Sequence, residues 1–221
     1  MLQWFRAPNA FPGHTCNAFE DDSGKIIFDL PVSQQNVFFW WPDGQGRAPS
    51  PETISANLSR FVIDPYSDTL DLPAPQVLDT ANSEFPRIDD RYAGRAHRHA
   101  FLDIMDPTLG TDFAAIANVM GGGFAPYNAL GHYDYSTGTL TKYFPGKKHM
   151  VQEPVFVPRS KTSRQGDGFL MALVNNYGLM SSELHIIDTR KFTKAVAIVK
   201  LPLRLRAGLH GNWVDATTET A

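Results

Sequence analysis

The chain has 221 residues, of which 43% are hydrophobic and 19% charged, with a formal net charge of -3; that is enough apolar material for a folded core and excludes general disorder. No Lys/Arg run supplies the basic footprint of a nucleic-acid binder or the polybasic patch of a membrane-surface protein. No apolar run is long enough to span a bilayer, the first residues lack a signal-peptide pattern, and the lone Cys16 excludes an internal disulfide, so a soluble, cytoplasmic protein is expected.

Strand-like runs, rich in β-branched and aromatic residues and bounded by Gly, Pro, Asn and Asp, are predicted at residues 25–30, 36–41, 59–64, 99–106, 128–135 and 140–144. Four more follow at 154–158, 168–175, 183–188 and 195–205. Residues 43–57, with Pro49 and Pro51, read as a loop with at most a short helix near 51–58, and Gly121-Gly-Gly123 as a flexible or tight-turn segment. Helix signals are weak throughout. The expectation is therefore an all-β single domain over 1–221, built as a sandwich, barrel or propeller.

A weak internal repeat bears on that choice. A strand ending in Asp is followed five residues later by Thr at Asp64/Thr69, Asp106/Thr111, Asp134/Thr139 and Asp188/Thr193. The physical sense is a hairpin in which the carboxylate caps turn N–H groups and the Thr restarts the next strand. The spacing is uneven but near the roughly 40–50-residue period of propeller blades.

The residues able to do chemistry are few. Of the seven histidines, none lies in a His-Glu-x-x-His pattern. His97 and His99, two apart, could clip a metal from one strand face, although a solvated strand edge beside Arg95 and Arg98 is the simpler reading. There is no Gly-x-Ser-x-Gly elbow, Cys16 with His14 lacks an orienting third group, and no Lys-Ser/Thr follows the glycine run to make a phosphate loop. Asp21-Asp22 and Asp89-Asp90 read as solvated loop acids.

Four segments say more than their composition. Pro12-Gly-His14-Thr-Cys-Asn17-Ala-Phe-Glu20 and Leu205-Arg-Ala-Gly-Leu-His210-Gly-Asn-Trp213 each place a His beside Gly near an apolar strand. Ser83-Glu84-Phe-Pro-Arg87 and Gln152-Glu153-Pro-Val-Phe156 each place a carboxylate in apolar surroundings. Such a carboxylate is expensive to bury without a donor, and the ring N–H of a metal-bound imidazole is one that fits.

In this order the four segments resemble the carotenoid cleavage oxygenases, and the wording around His210 is most similar to their lignostilbene-dioxygenase-like, stilbene-cleaving branch. The resemblance implies a seven-bladed β-propeller carrying one Fe(II) on four histidines, three of them oriented by glutamates. Carried over, His14 and His210 match the third and fourth ligands, with Glu84 orienting His14 and Glu153 orienting His210. No catalytic residue beyond the metal site is implied. The implied reaction joins O2 to an apolar alkene, stilbene-like or apocarotenoid, and splits its double bond into two carbonyl products without an organic cofactor.

The first two ligands and one glutamate would belong to an N-terminal half upstream of Met1, so this chain is expected to be the C-terminal portion of the propeller and inactive, or barely active, alone. The alternative from another class is a non-catalytic, propeller-derived interaction protein that has lost the iron site. A generic β-sandwich would instead require His14 and His210 to lie far apart.

Overall fold

Short apolar runs separated by turn residues pair here as antiparallel neighbours, and the computed structural model describes residues 2–38, 40–50, 53–120 and 127–216. Three sheets follow one another along the chain. The first contains β1 (Phe11–Pro12), β2 (Asn17–Glu20), β3 (Ile26–Ser33), β4 (Ala56–Ile63) and β5 (Gln76–Val77). The second contains β6 (Asn82–Arg87), β7 (His99–Met105), β8 (Ala129–Asp134) and β9 (Thr139–Tyr143). The third contains β10 (His149–Val151), β11 (Val155–Pro158), β12 (Gly168–Asn176), β13 (Ser181–Asp188) and β14 (Ala195–Lys200).

Every sheet has four layers in chain order, which is the plan of a propeller blade. Two of the three leading layers are broken. β1 and β2 lie end to end along β3, Pro12 opposite Val32 and Asn17 opposite Asp29. β10 and β11 do the same along β12, Val151 opposite Val174 and Val155 opposite Met171. His14 lies in the first break and Glu153 in the second.

Packing explains the hydrophobic patterns. The middle sheet is covered on both faces: Phe101 and Leu130 pack with Val151, Phe156, Leu170 and Ile187 of the third sheet. Its Ala100, Leu102 and Ile104 pack with Leu58 and Cys16 of the first. β7 therefore buries every residue from Ala100 to Ile104, whereas β12 buries Leu170, Ala172 and Val174 and leaves Phe169, Met171 and Leu173 only half-buried. Each large side chain so enclosed contributes roughly 1.5–3 kcal/mol.

Contact between β11 and β12 is close enough to demand glycine. A Cβ on Gly168 would collide with the Val157 carbonyl oxygen and sit 2.8 Å from Phe156 Cζ. Gly168→Ala is expected to destabilise the protein by about 1–3 kcal/mol, seen as a lower urea midpoint; an unchanged midpoint would refute the tight contact.

The all-β expectation holds, and most predicted strands are present within a residue or two. Residues 36–41 are the exception. Asn36 Oδ1 accepts from Phe38 N at 2.9 Å and Trp41 N donates to Phe38 O at 2.8 Å, so local side-chain and turn bonds displace strand pairing; Phe39 lies outside the described residues. The last predicted run stops at Lys200, ahead of Pro202, which has no N–H for the ladder. Of the proposed short helix near 51–58, residues 56–58 are strand β4, while Pro51, Glu52 and the whole Gly121–Gly123 turn lie outside the described residues. One helix, α1 (Phe113–Met120), was not predicted; Asp112 caps it by accepting from Ala115 N at 3.0 Å.

The Asp repeat is real, but its second half is not. Asp64, Asp106, Asp134 and Asp188 accept from the N–H two residues on at 2.9, 2.9, 2.9 and 3.0 Å. Asp64, Asp134 and Asp188 occupy one place, the turn after the third layer of each sheet. Asp106 follows a second layer instead. Only Thr139 starts a strand, because only the turn after Asp134 is a short hairpin, with Gly138 at φ 64°.

Candidate metal centre

The four singled-out residues meet on the leading layers. Where β6 bulges between Glu84 and Arg87, Phe85 takes a left-handed φ of 47°, a conformation that costs a non-glycine residue about 1–3 kcal/mol. The bulge aims the Glu84 carboxylate at the β1–β2 break. His14 Nδ1 lies 3.0 and 3.1 Å from the two Glu84 oxygens, and the His14 amide donates to Oε1 at 3.1 Å.

On the opposite side, Glu153 Oε2 lies 3.2 Å from His210 Nδ1 and accepts from Gly211 N at 3.0 Å. Arg87 Nε pairs with Glu153 Oε1 at 3.0 Å, and its Nη2 donates to the Gly211 carbonyl. Gln152 Oε1 accepts from Gly208 N at 3.0 Å. Residues 201–216 contain no strand; these side chains, together with Ser182 Oγ accepting from Leu205 N at 2.8 Å, hold the segment that carries His210.

The two imidazoles converge, their ring centroids 5.0 Å apart at 73°. Both Nδ1 atoms are engaged by carboxylates, and neither Nε2 has a hydrogen-bond partner among the described residues. Two imidazoles sharing one ion through metal–nitrogen bonds of about 2.1 Å would place their centroids about 4.5–5 Å apart when adjacent in the coordination sphere. The donor set thus fits one ion in two of its positions. Among the described residues no group of three or more His, Cys, Asp or Glu side chains gathers as a metal site.

Apolar surface surrounds the pair. Phe85 stacks on His14 at 4.9 Å and 27° and meets His210 edge-on at 5.7 Å. A cleft of about 440 Å³ opens beside them, walled by Phe11, Val37, Phe38, Trp40, Phe85 and Tyr127. The apolar residues that failed to form a strand at 36–41 form part of this wall. Burial, reinforced by Glu84, raises the Tyr127 phenol well above its ordinary range, so it stays protonated.

The remaining histidines lie elsewhere. His97 precedes β7 and is fully buried rather than on a solvated edge; its Nδ1 accepts from Asn17 Nδ2 at 3.1 Å, and burial lowers its pKa to about 4. His99 pairs with His132 at 3.0 Å instead of clipping a metal with His97. His185 bridges Tyr143 at 2.7 Å and Glu183 at 2.8 Å, and His149 lies 3.9 Å from that glutamate. Cys16 is no nucleophile: burial pushes its thiol up to about 12. Asp89 is not a solvated acid either, being 1% exposed and paired with Arg91 at 2.6 Å.

Sequence reading missed Phe85, Arg87 and Gln152 as parts of the site, although all three stand inside segments it quoted. It had no signal for Asp103 or Tyr127, whose surroundings are set by sheet packing.

Residues 1–215 match the family described as RPE65, Retinal pigment epithelial membrane protein. The chain is 55% identical to resveratrol cleavage oxygenase 1 of Aspergillus fumigatus, over 97% of its own length and 43% of that protein's. It is 38% identical to lignostilbene-alpha,beta-dioxygenase isozyme III of Sphingomonas paucimobilis, over 98% of its own length and 44% of that protein's. The crystal structure of Pseudomonas brassicacearum lignostilbene dioxygenase superposes with a TM-score of 0.88 at 38% identity, covering 95% of this chain and 43% of that one. The chain thus spans less than half the length of these relatives.

Proposed function

The chain belongs to the carotenoid cleavage oxygenase (RPE65) family, and on that premise we propose that it forms part of an iron(II)-dependent dioxygenase that splits the double bond of an apolar, stilbene-like alkene into two carbonyl products. The observation that carries this reading is the convergence of His14 and His210, each held through Nδ1 by a glutamate at 3.0–3.2 Å. Their free Nε2 atoms would hold the ion, and the other two histidines would come from the part of the relatives' length that this chain does not span. Bound iron supplies the position at which dioxygen is activated for alkene cleavage.

The rest is done by this chain's own side chains. Glu84 and Glu153 accept the Nδ1–H of each ring, which fixes the tautomer that presents Nε2 and raises its basicity. Arg87 pairs with Glu153 and anchors the strand-free segment that carries His210. Phe11, Phe38, Trp40 and Phe85 offer ring faces to a flat conjugated substrate and exclude water from the space beside the imidazoles. Relatives named for resveratrol and lignostilbene support a stilbene over an apocarotenoid. A lone cysteine and no helix among the described residues able to cross a membrane are in keeping with a cytoplasmic site of action.

In the protein extended to its relatives' length, His210→Ala and Glu153→Ala are each expected to weaken iron(II) binding at least tenfold, on the order seen when ligands or their orienting partners are removed, in an anaerobic titration. Undiminished affinity in both variants would overturn the metal assignment and leave a non-catalytic binding protein as the better reading.

A further inference from the structure

Asp103 is a buried carboxyl that the histidine–glutamate pairs do not use. It stands on β7 directly opposite Glu84 of β6, is 1% exposed, and its Oδ1 has no hydrogen-bond partner among the described residues. It lines a small cavity of about 60 Å³ together with Glu153, Gln152, Tyr127, Asn175 and Tyr177. Gln152 Nε2 is a second buried polar atom on the same cavity without a partner among the described residues. Three carboxyls, Glu84, Glu153 and Asp103, thus come together behind the two imidazoles, and among the described residues the cation paired with them is Arg87 on Glu153.

Charge decides what Asp103 can be. Glu84 and Glu153 are the acceptors that face the imidazole Nδ1 atoms. A third buried carboxylate beside them would add burial cost and repulsion at once. Burial first, then Glu153 and Glu84, pushes Asp103 well above the usual carboxylate range. The other titratable groups facing the cavity, Tyr127 from the segment before β8 and Tyr177 after β12, are phenols and add no positive charge.

We propose that Asp103 is a positioning residue of this centre: a neutral acid that donates its O–H into the cavity between β6, β7 and the β10–β11 break and so leaves Glu84 and Glu153 as the acceptors for His14 and His210. The proposal rests on the reading of His14 and His210 as metal ligands, but its core, a protonated Asp103, does not need a metal to be tested.

The first measurement is infrared difference spectroscopy of the metal-free, full-length protein, wild type against the isosteric Asp103→Asn. The carbonyl stretch of a protonated carboxyl, with its shift in D2O, is expected near neutral pH and should vanish in the variant. Its absence from the wild type, or its persistence in Asp103→Asn, overturns the proposal.

The second measurement is cobalt(II) affinity. Asp103→Asn keeps a neutral donor and should bind within about twofold of wild type, whereas Asp103→Leu should lose on the order of tenfold or more. Equal losses in both variants would mean a carboxylate is required; no loss in either would mean Asp103 positions nothing. Each contradicts the proposal. Failure of the wild type itself to bind cobalt would instead sink the ligand assignment and leave the infrared result to judge Asp103 alone.

Discussion

Gly13→Ala is expected to lower metal affinity by about 10–100-fold, the range for removing an outer-shell partner, although Gly13 is neither a ligand nor a partner of one. A Cβ at this position would collide with Glu84 Oε1 and lie 3.1 Å from both Glu84 Cδ and the Pro31 carbonyl oxygen. Pro31 O is fixed by the β3 backbone and already accepts from Gly13 N at 2.8 Å, so the carboxylate has to move. Glu84 Oε1 accepts from the His14 amide at 3.1 Å and lies 3.1 Å from Nδ1.

Displacing Glu84 therefore frees the His14 ring from its acceptor and from its orientation against Phe85. Gly44→Ala is the matched control, since a Cβ there meets nothing within 4 Å. Cobalt(II) titration of the two variants in the full-length protein reads the difference. Gly13→Ala binding within about twofold of wild type would show that the Glu84–His14 pair does not govern the site.

Arg60→Leu should cost about 3–5 kcal/mol of folding stability, the usual penalty for stripping one partner from a buried ion pair. Asp29 is completely buried on β3, and Arg60 on β4 holds it in a two-pronged pair, Nε to Oδ1 and Nη2 to Oδ2, both at 2.7 Å. The guanidinium also lies 5.2 Å from the Tyr135 ring centre, and His97 Nε2 is 3.6 Å from Asp29 Oδ2. Burial lowers the pKa of His97, and Arg60 lowers it further, so in the intact pair the guanidinium is the cation that meets Asp29.

Urea unfolding of Arg60→Leu, Asp29→Leu and the double variant tests this. Most of the loss should be recovered in the double variant, where no unpaired carboxylate remains. A loss below about 1 kcal/mol in the single variant would place the pair with exposed ones of little worth. Asp29 is also the cross-strand partner of Asn17, the first residue of β2 after the His14 break, so this pair steadies the strand from which His14 departs.

The strands legible in the sequence are later layers of the sheets: β3, β4, β7, β8, β9, β12 and β13 lie on runs whose apolar residues face packed neighbours, and β14 on an apolar run that stays largely exposed. Among leading layers only β11 was read. β2, β6 and β10 are short or bulged, and they carry or flank Glu84, Glu153 and His14, whose side chains answer to one another and not to a hydrophobic period. The hydrophobic pattern is therefore weakest where the chemistry is. The aromatic run at 36–41 misled for a related reason: its apolar residues wall a cleft, and a cleft imposes no strand period.

Composition, turn residues and the order of four short segments were enough to decide an all-β fold, the family, and the candidates His14, His210, Glu84 and Glu153. Those features are local, and local chemistry is written residue by residue. Only the tertiary structure decided that His14 and His210 converge, that Arg87 and Gln152 dock a strand-free segment, that Gly13 yields room to Glu84, and that Asp103 is sealed behind both glutamates. Each of these depends on segments far apart in the chain meeting across sequence separations of 56 to 196 residues, or on which face of a sheet is covered, and no spacing along the chain encodes either.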